Sequence, residues 1–262
     1  MILNYVTWNV DPEIVGFLGL SIRYYGVLFA ASFFFGYLIM QKIFKKEGLS
    51  IELLDKLTIY MVLGTVLGAR LGHCLFYQPE YYLKNPWEIL FIWHGGLASH
   101  GAAIGILIAL FYFARKNKKP YLWILDRIVI VVALAGFFIR LGNLMNSEIY
   151  GIETNLPWGF IFVRDGQIVP KHPTQIYEAL SYLIIFIALY LIYLKKPTSL
   201  KHGYIFSLFL ISLFTVRFLI EFIKEVQVDF ESGMALNMGQ WLSIPFVLAG
   251  IGLLVYSQRK TV

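Results

Sequence analysis

Seven stretches of about twenty mostly apolar residues recur along this chain, at roughly 17–42, 57–77, 95–114, 122–142, 175–194, 204–223 and 238–257. A helix of that length crosses the hydrocarbon core of a bilayer. Within lipid only helices and closed barrels satisfy their own backbone polar groups. The pattern predicts an all-α polytopic membrane protein with seven transmembrane helices. Composition points the same way: 58% of the 262 residues are hydrophobic and only 15% are charged, against about a quarter charged in soluble domains. Disorder, a coiled coil and a disulfide scaffold are excluded. Cys74 is the only cysteine, so no intrachain disulfide and no thiolate-pair metal site is available.

The net charge of +6 would suit nucleic acid in a soluble protein. In a membrane protein the positions of the charges carry the information. Lys42, Lys45, Lys46 and Lys56 fall in the first loop, Arg115, Lys116, Lys118 and Lys119 in the third, and Lys195, Lys196 and Lys201 in the fifth. Arg259 and Lys260 lie in the tail. The alternate loops hold only Lys84, Arg164, Lys171 and Lys224. By the positive-inside rule the N-terminus lies outside and the C-terminus in the cytoplasm, which an odd number of spans requires. No nucleic-acid partner is expected. No cleavable signal peptide is expected either: the first sixteen residues contain Asp11 and Glu13 but no Lys or Arg.

Without repeats or low-complexity stretches, residues 1–262 read as one domain. The loop 143–174 is too long for a simple turn and predicts a small extracytoplasmic subdomain, with a hairpin centred on Asp165-Gly166. Tyr81, Tyr82, Trp87 and Trp93 sit where an aromatic belt belongs. Gly64, Gly68 and Gly72, like Gly101 and Gly105, recur every four residues and predict close helix packing rather than chemistry.

Five arginines remain. An arginine at mid-bilayer costs about 2.5–3.5 kcal/mol on insertion scales, so each needs a reason. Arg127 is expected to snorkel to the cytoplasmic interface. Arg23 opens the first span from outside, and Arg70, Arg140 and Arg217 fall in the outer halves of outward-running spans. Arg217 and Glu221 have the spacing of an intrahelical ion pair, and Asn143 shares a helix face with Arg140. Pairing would make these groups mere helix glue. For the whole set the carboxylates are too few, chiefly Glu221 with Glu148 and Glu178 as further candidates. The surplus suits an anion, and phosphate is the natural partner of guanidinium. A site in the outer leaflet then points to a phospholipid headgroup.

Of five histidines, His202 reads as solvated, and His73 and His172 are open to structural roles. His94-Gly95-Gly96-Leu97-Ala98-Ser99-His100-Gly101 is the most unusual segment, since its glycines let backbone amides approach a ligand. His100 is either a helix–helix hydrogen bonder or a general base. A Ser99–His100 dyad is disfavoured because consecutive helical residues diverge. There is no Gly-x-Ser-x-Gly elbow, His-Glu-x-x-His or acidic cluster, and no metal or cofactor is expected. Cys74 is a poor nucleophile in an apolar setting.

Arg23-Tyr24-Tyr25-Gly26, Gly68–Gly72, His94–Gly101, Gly136–Gly151, His172–Glu178 and Arg217–Glu221 follow one another in an order that resembles the bacterial phosphatidylglycerol–prolipoprotein diacylglyceryl transferases. The resemblance spans nearly the whole chain, and the Gly136–Gly151 block looks like the family signature. It implies an enzyme of the bacterial inner membrane, with its active site toward the extracytoplasmic side. Such enzymes move diacylglyceryl from phosphatidylglycerol to the lipobox cysteine of a preprolipoprotein signal peptide. The products are a thioether and glycerol 1-phosphate. By similarity, Arg140 and Arg217 hold the headgroup phosphate, and His100 and Tyr25 are catalytic. Asn143, Asn146, Glu148, Gly151, Glu221 and Arg70 shape the substrate site. His100, Tyr25 and a substrate-assisted route remain alternatives for the base, and Arg23 is assigned no such role. A lipid flippase and a seven-span sensor are the rival classes. The first lacks the inverted repeats common in transporters, and the second has no need of outer-leaflet arginines.

Overall fold

A computed structural model describes residues 5–17, 20–195, 201–226, 231 and 233–259. Lys196 and Lys260, two of the orienting basic residues, lie outside the described residues. Eight α-helices are described: α1 (Tyr24–Lys46), α2 (Ile51–Phe76), α3 (Pro79–Lys84), α4 (Ser99–Lys116), α5 (Tyr121–Met145), α6 (Thr174–Lys195), α7 (Tyr204–Ile220) and α8 (Met238–Arg259). Six of them are long and apolar enough to cross a membrane: α1, α2, α5, α6, α7 with its 3-10 extension to Ile223, and α8. The protein is therefore helical and multi-pass. The stretch expected to span from residue 95 becomes helical only at Ser99, because Gly95 and Gly96 take φ of 82° and 70°. The remaining 18 residues of α4 reach about 27 Å at 1.5 Å per residue.

The first expected span also begins later than its hydropathy suggests. Residues 13–17 and 20–23 form an antiparallel ladder, β2 (Glu13–Phe17) with β3 (Leu20–Arg23), and the helix starts at Tyr24. Arg23 is thus not inside a span. It pairs with Glu13 at 3.2 Å on an exposed strand end.

The contacts divide the chain into two compact units, residues 40–125, and residues 1–39 with 126–262. In the 40–125 unit, α2 packs along α4 through the glycines spaced four apart. A Cβ on Gly64 would lie 2.9 Å from the Gly105 carbonyl oxygen, and one on Gly72 2.6 Å from the Gly101 Cα. Backbone lies directly opposite Gly68, Gly72, Gly101 and Gly105, and at Gly64 the small Ala109 Cβ is as near as the backbone, so each glycine is required for the approach. Leu63, Leu67, Leu71 and Leu75, themselves four apart, are exposed and form an apolar stripe on α2.

The other unit is built on α5, α6, α7 and α8. Its helix start at α7 is capped in trans: the buried Asp126 carboxylate on α5 accepts the backbone N–H groups of Gly203 and Phe206 at 2.7 and 2.8 Å. Gly203 takes φ 94° there, which a side chain would resist. Arg127 does not snorkel; it is 8% exposed, with its guanidinium 6.0 Å from the Tyr193 ring centre.

Residues 143–174 fold back on the N-terminus. β1 (Val6–Trp8) pairs in parallel with β4 (Phe160–Phe162), and Trp8 Nε1 donates to the Leu144 carbonyl at 3.0 Å. Leu144, Tyr150 and Phe162 form the core of this subdomain. The expected hairpin is reduced to one bridge, Phe160 with Lys171, because β4 takes β1 as its ladder partner. Gly166 still turns the chain, with φ 70°.

Candidate active site

The signature block places its polar groups by helix period and then by a strained turn. Arg140 and Asn143 lie three residues apart on α5, and Arg140 Nη1 donates to Asn143 Oδ1 at 3.0 Å. The other end of that amide donates to Glu148 Oε1 at 2.7 Å, and Asn146 Nδ2 donates to the same oxygen at 3.2 Å. Ser147 and Ile149, flanking Glu148, have φ of 55° and 60°. A β-branched residue in that region is strained, and such strain persists only where the surroundings over-determine it. Here they do. Gln175 Nε2 donates to the Glu148 carbonyl at 2.7 Å, and Thr174 Oγ1 to that of Ile149 at 2.9 Å. Both donors are fully buried at the start of α6.

Gly151 belongs to the same construction. Its amide donates to the His172 carbonyl at 2.8 Å, and it bridges the backbone of Lys224 in antiparallel fashion. A Cβ here would lie 2.7 Å from His172 Cβ, 2.8 Å from Thr174 Cγ2, and closer still to the Ile223 carbonyl. The glycine is what lets residues 150–152 reach residues 223–225.

Glu178 on α6 has no exposed surface, and holds two cations. Arg140 Nε lies 2.9 Å from Oε2, and Lys224 Nζ lies 3.1 Å from Oε1. Lys224 also donates to Glu221 at 3.3 Å. The expected Arg217–Glu221 pair is not formed. Among the described residues Arg217 makes no hydrogen bond or ion pair, and its Nε is buried without a partner. Arg140 and Arg217 both lie within electrostatic reach of Tyr182. Tyr25, on α1, approaches the same group: its electrostatic neighbours are Glu148 and Arg140. Its ring rests on Gly142, where a Cβ would meet Cδ2 at 2.7 Å.

Sequence reading names Arg140, Asn143, Asn146, Glu148, Gly151, Arg217, Glu221 and Tyr25, and the structure gathers them in one unit. It misses Lys224 and Gln175. Lys224 looks like one more loop charge, and only its three-residue spacing from Glu221 hints otherwise. The two remaining named residues belong to the 40–125 unit. Arg70 is 2% exposed, and its guanidinium donates to the carbonyls of Glu88, Ile89, Gly95 and Gly96. It also lies 5.0 Å over the Tyr82 ring, which is buried rather than placed in an aromatic belt. Arg70 thus ties down the glycine-rich segment. His100, exposed at the start of α4, meets the rings of Phe76 and Tyr77 at 5.4 and 5.7 Å. His73 stacks on Tyr77 at 5.6 Å.

His172 lies outside the helices, with Nδ1 3.3 Å from the Tyr177 hydroxyl, which also accepts from Trp158 Nε1 at 2.9 Å. Partial burial pulls its pKa below the ordinary value. Cys74 is fully buried, out of reach of any substrate.

A multi-pass helical membrane protein with a polar cluster of arginines, carboxylates and amides, in which the buried Arg217 Nε has no partner among the described residues, defines the class. Residues 12–256 match the family model described as prolipoprotein diacylglyceryl transferase. The chain belongs to that family. It is 48% identical to the phosphatidylglycerol–prolipoprotein diacylglyceryl transferase of Tolumonas auensis over 254 residues, covering 97% of this chain and 98% of that one. The proteins of the same name from Chloroherpeton thalassium and Bacteroides fragilis (strain ATCC 25285) are 45% and 43% identical. The alignments cover 98% of this chain in both cases, and 96% and 97% of those proteins.

Proposed function

We propose that this chain transfers the diacylglyceryl group of phosphatidylglycerol to the lipobox cysteine thiol of a preprolipoprotein, the first step of bacterial lipoprotein maturation. The relatives' names support this reading. The observation that carries it is Arg217, within electrostatic reach of Tyr182, whose buried Nε has no partner among the described residues. A buried polar group without a partner is costly, and an anionic phosphate would remove that cost.

In the reaction the thiolate sulfur forms a bond to the glyceryl carbon. The carbon–oxygen bond to phosphate breaks, its electron pair stays on the phosphate oxygen, and glycerol 1-phosphate leaves. The thiol proton passes to a base. Arg140 is paired with Glu178 through Nε and donates to Asn143 through Nη1, so its orientation is set before substrate arrives. Arg140 and Arg217 would stabilise the charge that grows on the leaving oxygen, which lowers the barrier only if they are preorganised. Tyr25 and Asn146 line the same cluster. His100 is our choice for the base. Arg70, placed among the substrate-binding residues by similarity, holds the glycine-rich segment before α4 through its backbone carbonyls. In the proposed topology α4 is the third of seven crossings, the N-terminus is outside, and the site opens on the extracytoplasmic side of the inner membrane.

The test combines purified protein, labelled phosphatidylglycerol and a lipobox peptide. The expected result is thioether product with one glycerol phosphate released per transfer, lost in Arg140→Ala and Arg217→Gln. A flippase would bind or move lipid with no mass gain on the peptide. His100→Gln at near-parental rate would remove His100 as the base.

A further inference from the structure

Lys224 holds no assigned role, yet it is one of the most buried cations of the 1–39 and 126–262 unit, at 7% exposure. Its Nζ sits between two buried carboxylates, 3.1 Å from Glu178 and 3.3 Å from Glu221. Glu221 follows Arg217 by four residues, at the end of the same helix. That spacing brings side chains together and favours an ion pair. The pair is nevertheless absent, and Glu221 is bound by Lys224 instead.

We infer that Lys224 is a positioning residue that occupies Glu221 and so keeps Arg217 available to the substrate phosphate. Three observations carry this. Arg217 is the cation without a partner among the described residues of the cluster. Glu221 is its nearest carboxylate along the helix, 8% exposed and in need of a cation. The lysine's place is fixed from outside the pair, through the backbone bridge to Gly151 and the Glu225 amide's bond to the Tyr150 carbonyl at 3.3 Å. Gly239 completes the pocket, since a Cβ there would lie 2.6 Å from Glu221 Oε2. The carboxylate has little room to turn elsewhere. Remove the ammonium, and two cations remain near Glu221: Arg140, already held by Glu178 and Asn143, and Arg217, four residues away on the same helix. An arginine closed onto its own helix then competes with the phosphate for the same donors.

The inference rests on the headgroup reading of Arg217, and the experiment separates the two. With full-length protein in mixed micelles, KM for phosphatidylglycerol and kcat are measured at saturating lipobox peptide, alongside thermal unfolding. Lys224→Met should raise KM about tenfold or more, the scale of one charge-assisted hydrogen bond diverted from the ligand. Removing the captor as well, in Lys224→Met with Glu221→Gln, should bring KM below that of Lys224→Met and to within about threefold of Glu221→Gln alone, the reference that carries Glu221's own share in the substrate site. A merely structural lysine gives the opposite order, with the double variant at least as impaired as the single. That order, or an unchanged KM in Lys224→Met, overturns the inference. If Lys224→Met does not fold, the double variant is compared with Glu221→Gln alone, and a KM about tenfold higher in the double variant is the refuting result. Arg217→Gln with an unchanged KM defeats the headgroup reading itself.

Discussion

Replacing Glu178 by Gln tests whether the arginine–carboxylate–lysine network is an organising element or incidental. The carboxylate is fully buried and presents one oxygen to each of two cations, Arg140 at 2.9 Å and Lys224 at 3.1 Å. Glutamine has the same shape but a single acceptor oxygen and an NH2 that only donates. Turned either way, it faces one cation with a donor. Arg140, Lys224, Glu178 and Glu221 carry two positive and two negative charges, so the substitution leaves one buried cation uncompensated. Removing one partner of a buried pair costs about 3–5 kcal/mol. Gln keeps one hydrogen bond, which puts the expectation at the lower end of that range, about 3 kcal/mol. For a chain of this size that lowers Tm by on the order of 10 °C. Transfer should fall as well, because the Nε contact that orients Arg140 is gone. Glu178→Asp keeps the charge and should lose less of both. The assay is thermal unfolding in detergent, paired with thioether formation at saturating lipid. A Gln variant within about 2 °C of the parent and at full rate would refute the reasoning.

Three further outcomes follow from the packing and the charges. Gly68→Ala places a Cβ 2.8 Å from Gly105 Cα; because only backbone lies opposite, it should cost about 1–3 kcal/mol in thermal unfolding. Gly252→Ala, with nothing within 4 Å, should be neutral or slightly stabilising. Gly142→Ala should displace the Tyr25 ring and cut the transfer rate about tenfold or more, as misplacement in an active site does, with a smaller change in Tm. His172 has a folded pKa held below its ordinary 6.5 by burial, so the unfolded chain takes the proton first. Its stability deficit is absent above that value and grows as pH falls through the window below it. The acid side of the Tm–pH curve should therefore flatten in His172→Asn.

What was legible in the sequence follows from period and from rare residues. Lipid-crossing helices announce themselves by length, and the α2–α4 contact by glycines four apart. Arg140, Asn143 and Glu148 stand out because polar groups are costly where they lie. The failures are those of one-dimensional reading. Phe17, Leu20 and Ile22 count as apolar span residues, but they belong to a ladder that Glu13 and Arg23 pin at its end. The turn at Gly166 is visible, whereas the strand that pairs with Phe160–Phe162 lies near the N-terminus, at Val6–Trp8. The Arg217–Glu221 spacing is plain, but spacing alone cannot show that Lys224 reaches Glu221 first.

Charge counting needs the same correction. By sequence count four arginines outnumber their carboxylates, and that surplus alone calls for an anion. In the structure Arg23 is paired with Glu13, and Arg70 is satisfied by backbone carbonyls. In the polar cluster, Arg140, Arg217 and Lys224 are matched in number by Glu148, Glu178 and Glu221. Anion affinity in that cluster therefore comes from unequal sharing rather than from excess. Glu178 takes two cations, Glu148 takes two amides, and Arg217 receives nothing from the described residues. A balanced cluster has an advantage over a surplus one in lipid: the empty site carries no net charge to desolvate, so holding one guanidinium unpaired costs less than burying an unmatched ion. A substitution that redistributes the pairing without changing the total should alter headgroup affinity at constant net charge. Lys224→Arg does not qualify, because it preserves the pairing, and Glu148→Gln does not, because it changes the total. Exchanging the two ends of the pair, Lys224→Glu with Glu221→Lys, makes the case: the charges still sum to zero, but a carboxylate then stands where Lys224 bridged Glu178. Phosphatidylglycerol KM should rise sharply, and an unchanged KM would show that total charge, not its distribution, sets the affinity.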